Sequence, residues 1–301
     1  MISTRYPIYI PSKGRYLHSF TAKMLAKGNL DFKIVVEPQE QDHYAVAFGA
    51  ERLLVLPFSN LGLGSIPARN WIWEHAKASG AEKHWILDDN IRRIVRMWRG
   101  VRRGCSASPA LRAVEDFIDR YENVAIAGMN YSSFGVGSNK KYPFLRNVHV
   151  YSCMLIMNSL PYRWRGKYNE DTDLCLQVLS NGWCTVLVNA FMIDKYWTMV
   201  IPGGNSAELY AGDGRLRMAR SLERQWPGVV EVRRRFGRPQ HMVKSQWRKF
   251  DTPLKFKNEV RLDGLQPNEY GLKLVAADEL LDSRRGAGEE DSQTSAPVAA
   301  P

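Results

Sequence analysis

The chain has 301 residues, 45% of them hydrophobic, which is enough for one large α/β domain with a smaller appended region and ordinary for a soluble protein. No apolar run approaches the length of a membrane span, and Met1 to Arg15 carries charges and a proline where a signal peptide needs an unbroken apolar stretch, so a soluble, intracellular, cytoplasmic protein is expected. The net charge of +11 favours polyanionic partners, nucleic acid or anionic lipid, and Cys105, Cys153, Cys175 and Cys184 lack paired metal-ligand spacing and read as reduced and structural.

In chain order, Tyr6 to Ile10 is a β-rich run closed by Pro11-Ser12-Lys13-Gly14-Arg15, Ser19 to Lys27 reads as a helix, and Phe32 to Val36 is a second strand closed by Glu37-Pro38. A third run, Arg52 to Pro57, precedes the glycine-rich Leu61 to Gly64, and Ile66 to Ala78 is helical, with Trp71, His75 and Ala78 near one face. His84 to Leu87 is a fourth strand and runs into Asp88-Asp89-Asn90. Strands alternating with helices predict βαβ units and a largely parallel sheet. A helix over Pro109 to Tyr121 leads to a strand at Val124 to Met129, and Asn147 to Met157 reads as a central strand. Asp171 to Leu179 is a short helix capped at Asn181-Gly182, and Thr185 to Ile193 is the next strand. Tyr210 to Gln225 is a basic helix stopped by Pro227, Arg233 to Lys257 is basic and aromatic, and the chain beyond Ser283 has the composition of a disordered tail.

The run into Asp88, Asp89 and Asn90 delivers carboxylates at a strand's carboxyl end, where open α/β sheets place their ligands. A diphosphate leaving a nucleoside diphosphate sugar is stabilised by Mg²⁺ or Mn²⁺, which take oxygen ligands from one or two carboxylates and the phosphates. The cluster is a candidate for that site; equally, Asp88 and Asp89 would cap a helix starting near Ile91. Asn169-Glu170-Asp171-Thr172-Asp173 opens a short helix whose dipole favours an ionised carboxylate in its first turn. Asp171 is the candidate base for an incoming hydroxyl, with Glu170 beside it, against the alternative that Asn169 and Asp171 only cap the helix. A strand-end carboxylate cluster followed roughly eighty residues later by a Glu-Asp helix start is a two-part pattern that little besides such a site produces.

Six stretches carry a resemblance: Ile10-Pro11-Ser12-Lys13-Gly14-Arg15, Pro67-Ala68-Arg69-Asn70, Ile86 to Ile91, Tyr168 to Leu176, Asn181-Gly182-Trp183-Cys184-Thr185 and Pro202-Gly203-Gly204-Asn205. Over Tyr6 to about Phe250 the chain resembles the GT-A glycosyltransferases, and more closely the TET-associated glycosyltransferases of phages and metaviromes. The resemblance implies a GT-A fold, a Rossmann-like mixed sheet flanked by helices, over residues 1–227, a basic extension for acceptor or DNA contact over 228–281 and a disordered tail over 282–301. It implies coupling to a TET-type dioxygenase that makes hydroxymethylpyrimidines in DNA, and transfer of a hexose or N-acetylhexosamine from a UDP-sugar of the UDP-glucose or UDP-N-acetylglucosamine type to the new hydroxyl. Carried over to this chain, Pro11, Ser12 and Arg15 contact the donor, and Glu37 its base or ribose. Asp88 and Asn90 take the outer positions of the Asp-x-Asp metal motif for Mn²⁺ or Mg²⁺; because Asn90 departs from the common aspartate, Asp89 is a rival ligand. Asp171 matches the base of inverting relatives.

Arg69 near the donor loop is read as a phosphate fork or a surface salt bridge. Asp194-Lys195, ending a strand, offers Asp194 as a further metal ligand, or a diphosphate contact, or a solvated strand end. Gly203-Gly204 reads as a mobile donor lid or an ordinary turn, and His149 as a satisfied core histidine. Three basic runs bear on the acceptor: Arg92, Arg93, Arg96, Arg99, Arg102 and Arg103 with Trp98; Arg215, Arg217, Arg220 and Arg224; and Arg233, Arg234, Arg235, Arg238, Lys244, Arg248 and Lys249 with Phe236, Trp247 and Phe250. Such arginines neutralise DNA phosphates and such aromatics stack on bases, although a solvated face explains any one run alone. The rivals are a glycan, lipid or protein acceptor, a catalytically inactive DNA-binding relative, and a nucleotidyltransferase.

Overall fold

The apolar runs Ile8–Pro11 (β1), Lys33–Val36 (β2), Leu53–Val55 (β3) and Lys83–Leu87 (β4) are too short to nucleate stable helices, and they pair in parallel, β3 on β2, β2 on β1 and β1 on β4. The helices Phe20–Lys27 (α1), Gln41–Phe48 (α2) and Ile66–Ala78 (α3) make the crossovers. The computed structural model describes residues 3–98, 101–134, 142–196, 200–204, 212–235, 237–260 and 266–267.

Beyond β4 the sheet ceases to be parallel. Ile91–Trp98 (β5) and Val101–Cys105 (β6) form an antiparallel hairpin, Ala107–Ile118 (α4) follows, and Val124–Tyr131 (β7), Phe144–Arg146 (β8), Cys153–Met157 (β9) and Cys184–Lys195 (β10) complete a sheet of order β3-β2-β1-β4-β9-β7-β10-β5-β6, with β8 on the first half of β10. β9 runs antiparallel to both β4 and β7, and β7 pairs with β10 in parallel. This mixed sheet flanked by helices is the expected fold class, whereas a largely parallel sheet is not what forms. No helix starts at Ile91, so capping one is not the reason for Asp88 and Asp89. The expected strand from Asn147 shortens to Cys153–Met157, because Asn147 and Ser152 take left-handed backbone conformations, φ 55 and 59, that break an extended run.

Strand alternation sends neighbouring side chains to opposite faces. Trp85 on β4 bonds Glu115 of α4 at 2.8 Å, while Ile86 joins Ile72 and Trp73 of α3 and Leu174 and Val178 of Glu170–Ser180 (α5) in the main buried cluster. Gly128 on β7 is required by packing: a Cβ there would lie 2.2 Å from the Cys153 carbonyl oxygen of β9. The basic helix is Gly214–Gln225 (α6), its expected start at Tyr210 lying outside the described residues, and Val230–Arg235 (β11) and Arg238–Val243 (β12) pair as a C-terminal hairpin. Leu176 of α5, Leu222 of α6, Val230 and Val243 form a second small core.

The chain divides into two units, Met1–Lys257 and Asn258–Pro301. The C-terminal hairpin lies within the first of these units, and the tail expected over 282–301 lies outside the described residues. Among the described residues no helix is long and apolar enough to cross a membrane. All four cysteines are free thiols.

Candidate active site

Because β9 is the only reversal between β4 and β10, the strands β1, β2, β4, β7 and β10 all end at one edge of the sheet, and the loops there enclose a cleft of about 350 Å³. Pro11, Ser12, Arg15, Glu37, Arg69, Asp88, Asp89, Asn90, Glu170, Asp171 and Gly204 line it together.

The donor loop is built on Asp89. Ser12 Oγ donates to Asp89 Oδ2 at 2.7 Å and Arg15 Nη1 to Oδ1 at 2.6 Å, while the Arg15 amide donates to the buried Tyr44 hydroxyl at 3.0 Å. Burial raises the Asp89 carboxyl above its usual range even against Arg15 and Ser12. With both oxygens committed, Asp89 anchors the loop. The Pro202–Gly204 turn docks on the same loop: Arg15 Nε donates to the Pro202 carbonyl at 3.2 Å, Nη2 to the Gly203 carbonyl at 3.0 Å, and the Gly204 amide to the Lys13 carbonyl at 2.8 Å. Lys13 Nζ reaches Glu37 at 2.9 Å; burial opposes ionisation of Glu37, but Lys13 and Gln39 outweigh it and lower the carboxyl. A side recess of about 250 Å³ beside Glu37 is walled by Leu56, Phe58 and Asn60.

Asp88 lies between two cations. Arg69 Nη2 is 3.2 Å from Oδ1 and Lys195 Nζ 3.0 Å from Oδ2, and Lys195 also donates to Ser152 Oγ at 2.9 Å. Burial would raise the Asp88 carboxyl, yet Lys195 and Arg69 together hold it below the usual range. Arg69 is thus a buried cleft residue, with its Nε also 3.6 Å from Glu170 and its guanidinium over Trp164 at 4.8 Å. Asn90 Nδ2 donates to the Tyr196 carbonyl at 3.2 Å, and its Oδ1 is buried without a hydrogen-bond partner among the described residues. Asp194 is outside the cleft lining: Arg92 and Arg93 each hold its carboxylate at 2.9 Å. Among the described residues no group of three or more His, Cys, Asp and Glu is gathered as a metal site. The oxygens of Asp88 and Asn90 are nevertheless of the hard type that Mg²⁺ and Mn²⁺ take, and the orphaned Asn90 oxygen suits such an ion.

Asp171 and Glu170 open α5 after Asn169, whose φ of 54 turns the chain into the helix. The Thr172 amide donates to Asp171 Oδ1 at 2.7 Å, and His149 Nε2 lies 3.2 Å from Oδ2. Burial opposes the Asp171 charge, but His149 and the Thr172 amide hold the carboxyl well below the usual range; burial raises Glu170, which accepts from Ser65 Oγ at 2.9 Å. The pair therefore splits, and Asp171 carries the charge. His149 is not a satisfied core histidine. It is half-buried and meets Asp171 without itself lining the cleft, and strand periodicity gave no sign of this because the segment from Asn147 is irregular.

Sequence reasoning also passed over Lys13, Tyr131 and Ser152, and gave Lys195 no more weight than Asp194. Lys195 is brought inward by a register shift between Asp194 and Lys195 on β10, which no residue type announces. The basic residues lie in three places, with Arg215, Arg217, Arg220 and Arg224 exposed along α6. Arg92, Arg93, Arg96, Arg102 and Arg103 follow β5 and β6 away from the Asn90 end of the cleft, and Arg234, Arg235, Arg238, Lys244 and Arg248 lie on and after the C-terminal hairpin. All of these are exposed except the half-buried Arg96, and Arg99 is outside the described residues.

A family model described as TET-Associated Glycosyltransferase matches residues 6–204 of the chain. No curated protein matches it significantly. Among solved structures, a "putative nucleotide-diphospho-sugar transferase" from Desulfovibrio desulfuricans aligns with 74% of this chain and 98% of its own, at 12% identity and a TM-score of 0.36.

Proposed function

Because this chain belongs to the TET-associated glycosyltransferase family and is a glycosyltransferase, we propose that it moves a sugar from a UDP-sugar to the hydroxyl of 5-hydroxymethylcytosine, or another 5-hydroxymethylpyrimidine, in DNA. The observation that carries this reading is the cleft in which the cations Arg15, Arg69 and Lys195 face the ionised Asp171.

In this reading the uridine enters the recess beside Glu37 and Phe58, and the diphosphate meets Arg15, Arg69 and Lys195. Asp171 removes the proton of the acceptor hydroxyl as its oxygen bonds to C1 of the sugar, and the bond from C1 to the diphosphate oxygen breaks with its electron pair leaving on UDP. Developing charge on UDP is stabilised by the three cations, which are fixed before the reaction by their pairs with Asp89, Asp88 and Glu170. Mg²⁺ or Mn²⁺, held by Asp88 and Asn90, would add Lewis-acid stabilisation of the same charge.

The DNA acceptor is supported by the net charge of +11 and by the exposed arginines of β5 and β6, which lead from the residue after Asn90. A TET-type dioxygenase would supply the hydroxymethyl group, in the same cytoplasm. UDP release that depends on hydroxymethylated DNA tests the reading; equal release with a free oligosaccharide and none with DNA would transfer it to a glycan acceptor.

A further inference from the structure

The chemically active side chains that this transfer leaves unused converge on Asp171. Asp171 Oδ1 accepts from the Thr172 amide at 2.7 Å and, at 3.5 Å, from the Thr172 hydroxyl, while Oδ2 meets His149 Nε2 at 3.2 Å, which fixes the plane of the carboxylate and leaves a lone pair on Oδ2 for an incoming hydroxyl. His149 is itself held from three sides. Tyr151 meets its ring edge-on at 5.0 Å, Trp247 lies parallel to it at 6.1 Å and 12°, and Thr172 Oγ1 bridges His149 Nε2 at 3.2 Å and His241 Nε2 at 3.4 Å.

Two of these residues come from beyond the family-matched span of residues 6–204: His241 on β12 and Trp247 in the helical turn that follows. Trp247 has φ 70 and Ser245 φ 56, conformations that a bulky residue adopts only where its surroundings impose them, and such outliers gather at functional sites. Trp247 also packs against both buried clusters, so its ring is fixed relative to α5.

We propose that His149 is a positioning residue for the Asp171 base, and that the C-terminal hairpin completes the active site by holding His149 in place with His241 and Trp247. The proposal rests on the reading of Asp171 as the base. During transfer the acceptor proton passes to Asp171, while His149 keeps its own proton and donates to the same carboxylate throughout.

The test compares full-length wild type with H149A, H149Q, W247A and W247F in UDP release from UDP-glucose with hydroxymethylcytosine DNA. H149A is expected to lower kcat about 10- to 100-fold with the KM for UDP-glucose unchanged. H149Q, which keeps an N–H donor, recovers most of the rate; W247A follows H149A, and W247F stays near wild type. An H149A enzyme with wild-type kcat, or a loss confined to KM, overturns the proposal. The ¹H–¹⁵N signal of the His149 imidazole decides the same point without an acceptor: it shifts in D171N if the pair exists, and an unmoved signal removes the pair. A wild type with that shift and no transfer to any DNA overturns the DNA reading alone.

Discussion

Lys195 Nζ lies 3.0 Å from Asp88 Oδ2 and so ties the end of β10 to the end of β4 across the floor of the cleft. Each group explains the other. Asp88 holds the ammonium charged and in place despite its burial, and Lys195 with Arg69 keeps the carboxylate ionised. A preformed cation of this kind is what a departing diphosphate needs.

Lys195→Met is therefore expected to lower kcat about 10²- to 10³-fold, the range found when one preorganised donor is removed from a charge-stabilising site. Turnover at saturating UDP-glucose measures it. A variant that keeps its rate would take Lys195 out of the chemistry and leave it as a counter-ion only.

Asp173 carries structure, not catalysis. Its carboxylate is fully buried and accepts from Arg165 Nε at 3.0 Å, Gln177 Nε2 at 2.7 Å, Gln225 Nε2 at 2.9 Å and Trp226 Nε1 at 2.7 Å, pinning the end of α6 to α5. Asp173→Ala strands these donors and should cost about 3 to 5 kcal/mol in urea unfolding. A loss below about 1 kcal/mol, the scale of an exposed pair, would show that the hub does not hold α6.

Gly203 reports on the donor loop. Its φ of +84 suits glycine, and a Cβ there would lie 2.4 Å from the Gly14 carbonyl oxygen. Gly203→Ala must push the turn off Arg15 and is expected to raise the KM for the donor several-fold while leaving Asp171 chemistry intact. Calorimetric titration with UDP separates the two effects, since unchanged UDP affinity would show that the turn plays no part in donor binding.

Acid should weaken the fold through His84. The ring is fully buried, Nδ1 meets Asn158 Oδ1 at 2.5 Å, and burial pushes its pKa down from 6.5 to about 4. The folded state thus binds fewer protons than the unfolded chain between those values, so stability is full above pH 6.5 and falls as the pH drops towards 4. At the usual conversion the group accounts for about 3 kcal/mol. Between pH 7 and 4.5 wild type should lose about 2 kcal/mol more unfolding free energy than H84L, the rest falling away below pH 4; parallel curves would assign the acid sensitivity elsewhere.

Local signals made part of this molecule legible. α3 is read at its observed limits because Pro67 fixes the start and the apolar residues keep helical spacing, and β4 is read because an apolar run ends abruptly in acids. β5 was missed because Ile91-Arg92-Arg93-Ile94 looks like a charged face until β10 pairs with it, and α2 because its sequence has little amphipathic contrast. The His149 cluster was illegible for a different reason. Asp171, His241 and Trp247 come from three separate elements and His149 from the irregular segment before β9, and no residue pattern within one of them announces their meeting.

In the proposed reaction Asp171 activates a hydroxymethyl group on DNA towards a UDP-sugar. The most direct measurement gives wild type and D171N a UDP-sugar panel with DNA carrying cytosine, methylcytosine or hydroxymethylcytosine, and follows UDP release and nucleoside mass. The expected result is a hexose-sized or N-acetylhexosamine-sized gain on hydroxymethylcytosine alone, slower by about 10²- to 10⁴-fold in D171N with donor affinity unchanged. Equal gain on methylcytosine, or a D171N enzyme as fast as wild type, would contradict it.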